Sequence, residues 1–428
     1  MAEIINITQK PMYDTNIQEY EYYEYEPQTG TNLNNTSAIR INIETQDLFL
    51  HPAESYILIQ GQLVKKSDGS LFANTDPITL TNNGVMYLFN NIKYQLANNE
   101  IESINNPGFA STMLGSLIYT DDFSKSTGLN QCWVKDTSIG ADETNSGGFK
   151  TRHEYIIQKS DPKGSFQFCI PLKHIFGFMD TYEKIIYGFK HTLTFVRTTD
   201  DNAIYHDSGD LEGKIKLNKL SWFMPQILPS LTTETQLLKV INNKTIIDVW
   251  YKMRQCDQIN VTESTDFNWK LGVKSGSEKP RWIIVGFQTD KEDQQKKNPA
   301  VFDHCNLQNI YVMLNSRRYP MNDYQIDFEQ NHFSRIYKDA VDFRQNFYDL
   351  DKIFNLSNID PLQYKTLFPL FVFDVSKQSE KLKDSVTDIQ IKMKLKKNVP
   401  KKTKAYAVVI SDRLLKFQSN GNKMDVIF

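Results

Sequence analysis

Two stretches of this 428-residue chain, 218 residues apart, carry one pattern. Asn91 to Ile101 reads NIKYQLANNEI and Asn309 to Tyr319 reads NIYVMLNSRRY, so Asn91, Ile92 and Leu96 align with Asn309, Ile310 and Leu314 without a gap. The offset is half the chain. In each half the motif is followed by helical spacing that begins at Phe109 or Phe333, then by an F-x-F-x-apolar segment, Phe166-Phe168-Ile170 or Phe371-Phe373-Val375. Three collinear pairs in one order mark a duplicated architecture.

Within each half the dominant period is two. Ile39, Ile41 and Ile43 alternate with Arg40, Asn42 and Glu44, and Ile389, Ile391, Met393 and Leu395 alternate with Gln390, Lys392, Lys394 and Lys396, the signature of half-buried strands. Further strands are expected at Tyr56 to Val64, Val85 to Leu96, Phe166 to Leu172, Tyr187 to Arg197 and Ile215 to Trp222. The second half repeats them at Ile246 to Met253, Trp282 to Phe287, Asn309 to Leu314, Tyr324 to Phe328, Leu370 to Val375, Val386 to Leu395 and Ala405 to Ile410. Helical spacing is confined to Phe109, Met113 and Leu117 and to Phe333, Ile336, Tyr337, Ala340 and Phe347. About eight short strands per half, with long excursions between some of them, predict an all-β chain: two tandem eight-stranded antiparallel jelly rolls with short helices in connecting loops.

Pro225 and Pro229 bracket a composition break, so the expected units are 36–229 and 230–428. Residues 1–35 hold the acidic, Tyr-rich YEYYEYEPQTGTNLNN and read as an arm that is flexible or ordered by a partner. Asp121 to Gly164 is polar and Gly/Ser/Asn-rich, which predicts a surface excursion from a rigid sheet, and DKEDQQKK, Asp290 to Lys297, reads as an exposed loop.

Composition removes several functions. Lys plus Arg total 49 against 51 Asp plus Glu, a net charge of −2, so no global field draws the chain onto nucleic acid. The N-terminus lacks a secretory pattern and no run of eighteen apolar residues occurs, which predicts a soluble protein made inside the cell without a membrane span. Cys132, Cys169, Cys256 and Cys305 show no C-x-x-C pair and are expected as free thiols, and without secretion the sequons at Asn35, Asn243 and Asn260 carry no weight.

Catalytic motifs are missing in the same way. Gly147-Gly148-Phe149-Lys150-Thr151 lacks the spacing of a phosphate-cradling loop, and neither H-E-x-x-H nor G-x-S-x-G occurs. The seven His are scattered. Asp200, Asp201, His206, Asp207 and Asp210 form the densest acidic group; oxygen ligands there suit Ca²⁺, but the spacing is not an EF-hand and reads better as a solvated loop. Lys392 to Lys404, KMKLKKNVPKKTK, is the most basic run, and half its lysines are the outward face of a strand. No catalytic, cofactor-binding or metal residue is assigned, and the chain is expected not to be an enzyme.

Phe166 to Arg197, FQFCIPLKHIFGFMDTYEKIIYGFKHTLTFVR, resembles a segment of the double jelly-roll major capsid proteins of Polinton-like and adintovirus elements, relatives of the adenovirus hexon. Phe371 to Leu395 and Ala405 to Phe417 resemble that family's closing strands. The resemblance spans about residues 38–417 and implies a structural role: a homotrimer forming a pseudo-hexameric capsomer, set among neighbouring capsomers and a minor penton protein in an icosahedral virion. Packaged DNA is touched only indirectly; synthesis falls in the host cytoplasm and assembly in cytoplasm or nucleus. The alternative is a carbohydrate-binding or carbohydrate-active protein on paired jelly rolls, with Trp133, Trp222, Trp250, Trp269 and Trp282 as stacking surfaces. A capsid protein with one jelly roll per subunit does not account for the repeat.

Overall fold

The computed structural model describes residues 16–45, 47–138, 146–206, 211–272, 278–350, 359–378, 387–419 and 424–427. Two sandwiches follow one plan. The first holds β1 (Ile17–Tyr25), β2 (Ala38–Ile43), β3 (Tyr56–Lys65), β4 (Phe89–Leu96), β5 (Asn99–Asn105), β6 (Ser165–Pro171), β7 (His191–Arg197) and β8 (Gly213–Pro229). The second holds β9 (Ile247–Asn260), β10 (Asp266–Lys270), β11 (Lys279–Thr289), β12 (Leu307–Leu314), β13 (Arg317–Tyr319), β14 (Phe371–Asp374), β15 (Ile389–Leu395) and β16 (Thr403–Ser419).

The sheets run β1-β8-β3-β6 and β2-β7-β4-β5 in the first sandwich, β9-β16-β11-β14 and β10-β15-β12-β13 in the second, with every pair antiparallel. Each of these eight strands of the first sandwich has its counterpart eight strands later, which is the two-fold duplication of a jelly roll, while the short strands Phe49–Leu50 and Ile186–Tyr187 extend the first sheet alone. The three aligned sequence pairs fall on counterparts: β4 with β12, β6 with β14, and helix α1 (Pro107–Ile118) with α3 (Ser334–Phe347). A further helix, α2 (Leu231–Asn242), joins the sandwiches, and the Ser230 hydroxyl caps it by accepting from the Thr233 amide at 3.4 Å.

Alternation decides which face each strand buries. Ile39, Ile41 and Ile43 of β2 are buried while Ala38 and Arg40 are exposed, and Ile389, Ile391, Met393 and Leu395 of β15 are buried on the same principle. The apolar cluster runs without a break through both sandwiches, from Ile39 to Val426. Helix α1 lies inside it, with Phe109, Met113, Leu114 and Leu117 buried. Gly108 is required there, because a Cβ would stand 2.5 Å from the Tyr87 ring.

Four expectations need correction. The limit at 35/36 cuts the first sandwich, because the Tyr-rich stretch of the expected arm supplies β1, paired with β8 from Trp222 to Pro229; residues 1–15 lie outside the described residues. Residues 121–164 are not only a surface excursion: Trp133, Phe149, Arg152, Ile156 and Ile157 from this stretch are buried, and helical turns at Asp121–Lys125, Gly147–His153 and Glu154–Gln158 carry the chain back into the core. Tyr324 to Phe328 forms no strand; Gln325 adopts a positive φ of 53°, which breaks the pleat. The charged run at 290–297 is no free loop, since Gln295 is buried against the first sandwich, its side chain accepting from the Gly213 amide and donating to the Gly213 carbonyl at 2.8 and 2.9 Å.

Candidate functional site: the seam between the sandwiches

The seam is built where β5 of the first sandwich meets the edge of β9. Edge strands expose backbone groups that need partners, and this edge is closed by polar groups of the first sandwich. Glu102 on β5 is 1% exposed. Its Oε1 accepts from the backbone amides of Arg254 at 2.7 Å and Gly177 at 3.0 Å, and its Oε2 accepts from the Phe178 amide at 2.8 Å. One carboxylate therefore ties β9 to the short helix Gly177–Thr181.

Arg254 is 3% exposed and closes the other side. Its Nη1 donates to the carbonyls of Lys173 and His174 at 3.1 Å, and its Nη2 to Asp180 at 2.5 Å. Desolvation pushes the Glu102 carboxyl up to about 7, while the three amides and the Arg254 guanidinium pull the other way. Burial together with the charges of Arg254 and Lys173 holds the His174 imidazole down at about 3. Burial alone does the same to His191, which is hydrogen-bonded to the Tyr94 hydroxyl at 2.9 Å.

Contacts on either side extend the lock. The Ile101 carbonyl accepts from the Tyr251 hydroxyl at 2.7 Å and from Arg413 Nη1 at 2.9 Å, and the Phe109 and Tyr406 rings stack at 4.2 Å. Gly177 approaches the Lys252 carbonyl so closely that a Cβ would lie 1.7 Å from it. Farther along, Arg152 Nη2 donates to both carboxylate oxygens of buried Asp136 at 3.0 Å, and Asn298 of the second sandwich donates to Asp136 at 2.9 Å. The Tyr87 hydroxyl reaches the Pro299 carbonyl at 3.1 Å. Together these groups weld two sandwiches into one body. Sequence reasoning missed all of them, because NNEIES and MRQCDQ look like ordinary polar strand segments.

The sequence candidates are dispersed and largely neutralised. Within the basic run, Lys396 meets Asp327 and Glu329, Lys397 meets Glu329, Lys402 meets Asp290 and Lys404 meets Glu292, so much of its positive charge is balanced locally. Asp200 accepts from Arg197 at 2.7 Å and from the Ile215 amide at 2.9 Å, which makes it a strand-linking group; residues 207–210 lie outside the described residues. Among the described residues no cluster of His, Cys, Asp and Glu could hold a metal ion. All four cysteines are free, and burial raises Cys132 to about 11 and Cys256 to about 12, far from the thiolate range. Trp133, Trp222, Trp269 and Trp282 are buried and only Trp250 is open, at 45%, which removes four of the five expected sugar-stacking surfaces. No helix among the described residues is long and apolar enough to cross a membrane.

The comparisons agree with this architecture. Residues 78–415 match the family model of the double jelly roll-like domain. No curated protein matches in sequence. In fold the chain is similar to the Sputnik virophage structure determined by cryo-EM, with TM-score 0.59 and 11% identity over 99% of this chain and 91% of that one. It is also similar to the quasi-atomic model of the PBCV-1 virus capsid, with TM-score 0.57 and 10% identity over 98% and 99%, and to the Faustovirus major capsid protein, with TM-score 0.56 and 10% identity over 97% and 92%.

Proposed function

The chain belongs to the double jelly roll-like family, and from that premise we propose that it is a viral major capsid protein whose trimers form the pseudo-hexameric units of an icosahedral shell. The observation that carries this reading is the duplication: two sandwiches of one strand order, fixed side by side by a buried seam. Three such chains around a threefold axis supply six near-equal bodies, the number a hexagonal lattice position takes. The end-to-end likeness to capsid structures of similar length supports it further.

In this role the protein performs no chemistry. Its activity is shape, and its partners are two further copies, the neighbouring capsomers and a minor protein at the fivefold vertices. The local neutralisation of the basic run favours packaged DNA being enclosed rather than gripped. The virion is then its location, after synthesis in the host cytoplasm. Light scattering on the purified protein tests the reading. A particle of three times the 49.7 kDa chain mass is expected, with hexagonal outlines in negative stain; a monomer at every concentration overturns it.

A further inference from the structure

The in-chain seam uses only one of two complementary surface pairs that a duplicated chain possesses, and we propose that the second pair forms the contact between copies. In this contact, which rests on the capsomer reading above, the Arg317–Met321 turn of one copy docks along Glu24–Asn34 of the next.

The repeat identifies both sides. Glu102 lies opposite Tyr94 and Tyr319 opposite Val312, the aligned position, so Tyr319 takes the place of Glu102, and Ile101 is an extra bulge residue of the first sandwich. Ile101 and Glu102 are the residues that dock on the middle of β9, at Tyr251 and Arg254, and on Arg413 of β16, with Asn106 Nδ2 adding a bond to Gln258 at 3.1 Å. The docking side of the unused pair is therefore the end of β13 and the turn after it. Arg317 is exposed there and Met321 is 73% exposed, an apolar side chain held out at the tip of a polar turn.

The receiving side follows from the first sandwich. There the place of β9 is taken by β1 up to Tyr25 and then by the segment that ends at Asn34, whose side chain exchanges bonds with Leu217 of β8 at 2.8 and 3.0 Å. Among the described residues β1 pairs with β8 alone, and every residue from Asn16 to Glu24 is exposed. The corresponding flank of β9 is covered by the first sandwich of its own chain. The net charges are also opposite in sign: Glu24 and Glu26 share the single cation Lys219, while Arg317 and Arg318 outnumber Asp323, which holds Arg318, so exposed Arg317 is the open cation of the turn; the in-chain counterpart of that turn carries Asn99 and Glu100. Acid on one side and base on the other sets the register of the contact and disfavours like-to-like pairing. A surface pair of this kind is heterologous, and it closes into a ring where successive copies are related by 120° rotations.

The test places one cysteine on each side, in Q28C/M321C, and treats the native oligomer with a short bis-maleimide, the parent chain serving as baseline. Covalent dimers and trimers on a denaturing gel are expected for the double variant and not for either single variant. R317E should weaken the trimer by roughly ten-fold or more in dissociation constant, and E26R/R317E should restore it. Trimeric Q28C/M321C that yields only monomer bands overturns this contact and leaves the capsomer reading standing. A parent chain that stays monomeric overturns the capsomer reading itself.

Discussion

The backbone amide of Arg254, in the second sandwich, donates to the carboxylate of Glu102, in the first, at 2.7 Å across a sequence separation of 152 residues. Gly177 and Phe178 share the same carboxylate. An acceptor so fully enclosed is more costly to remove than its own bonds are worth, since three donors are left without partners. E102A should lower the unfolding free energy by about 3–5 kcal/mol. E102Q keeps the shape but replaces one acceptor oxygen with a donor and should lose about 1–3 kcal/mol. Urea unfolding followed by tryptophan fluorescence checks both.

Gly177 gives a steric test of the same seam. A methyl group there would overlap the Lys252 carbonyl, and backbone on both sides must shift to admit it. G177A should therefore cost about 2 kcal/mol or more. A melting temperature within a degree of the parent would show that the seam yields without penalty.

Stability should fall on mild acidification, with a slope that can be assigned. His174 and His191 have native values of about 3 against an ordinary 6.5. Each stabilises the fold above pH 6.5, and that contribution is lost as pH falls toward 3. Glu102 acts in the opposite sense, with a native value of about 7 against 4.5, so its contribution is complete below 4.5 and is lost as pH rises through 7. Between pH 4.5 and 6.5 the two histidines outweigh the one carboxyl, so their joint contribution is lost on acidification. In E102Q the opposing carboxyl is gone, and the loss on acidification should steepen by about 1 kcal/mol per pH unit. Urea titrations at three pH values read both slopes, and a flat parent profile would contradict the histidine assignments.

Removal of residues 1–35 takes away β1 and leaves one side of β8 without its strand from Trp222 to Pro229. The truncated chain should show a lower melting temperature and early amide exchange in the first sandwich, with the second sandwich least affected. Circular dichroism and hydrogen exchange of the truncated protein measure this, and unchanged exchange along β8 would rule it out.

What could be seen in the sequence were the elements whose two faces differ. β2 and β15 announce themselves by apolar alternation, and β4 and β12 by their repeated Asn-Ile-x-x-x-Leu. β1 could not be seen that way. Its Tyr and Glu side chains occupy both faces and nearly all of them are exposed, so no period-two apolar signal exists; what holds it is the ladder to β8. β5 and β10 are short and mainly polar for the same reason. The seam was hidden for a different cause: Glu102 is buried against the Arg254 amide and Arg254 against the distant segment from Lys173 to Asp180, and charged residues carry no local mark of such burial. The Tyr87 and Asp136 contacts to Pro299 and Asn298 likewise depend on residues far along the chain.

That distance has a consequence for birth at the ribosome. Asp136 and Arg152 are synthesised together, yet the amide that completes their buried cluster belongs to Asn298, 162 residues after Asp136. Ile101 waits longer still, for Arg413, which follows it by 312 residues. The first sandwich can therefore collapse early, but it cannot be finished until nearly the whole chain has emerged. During that interval the flank meant for β9 stands open to any other strand edge nearby. A nascent chain of this kind is most vulnerable to mispairing in the middle of its synthesis, and factors that slow emergence of the last strands should raise the yield of aggregated rather than unfolded protein.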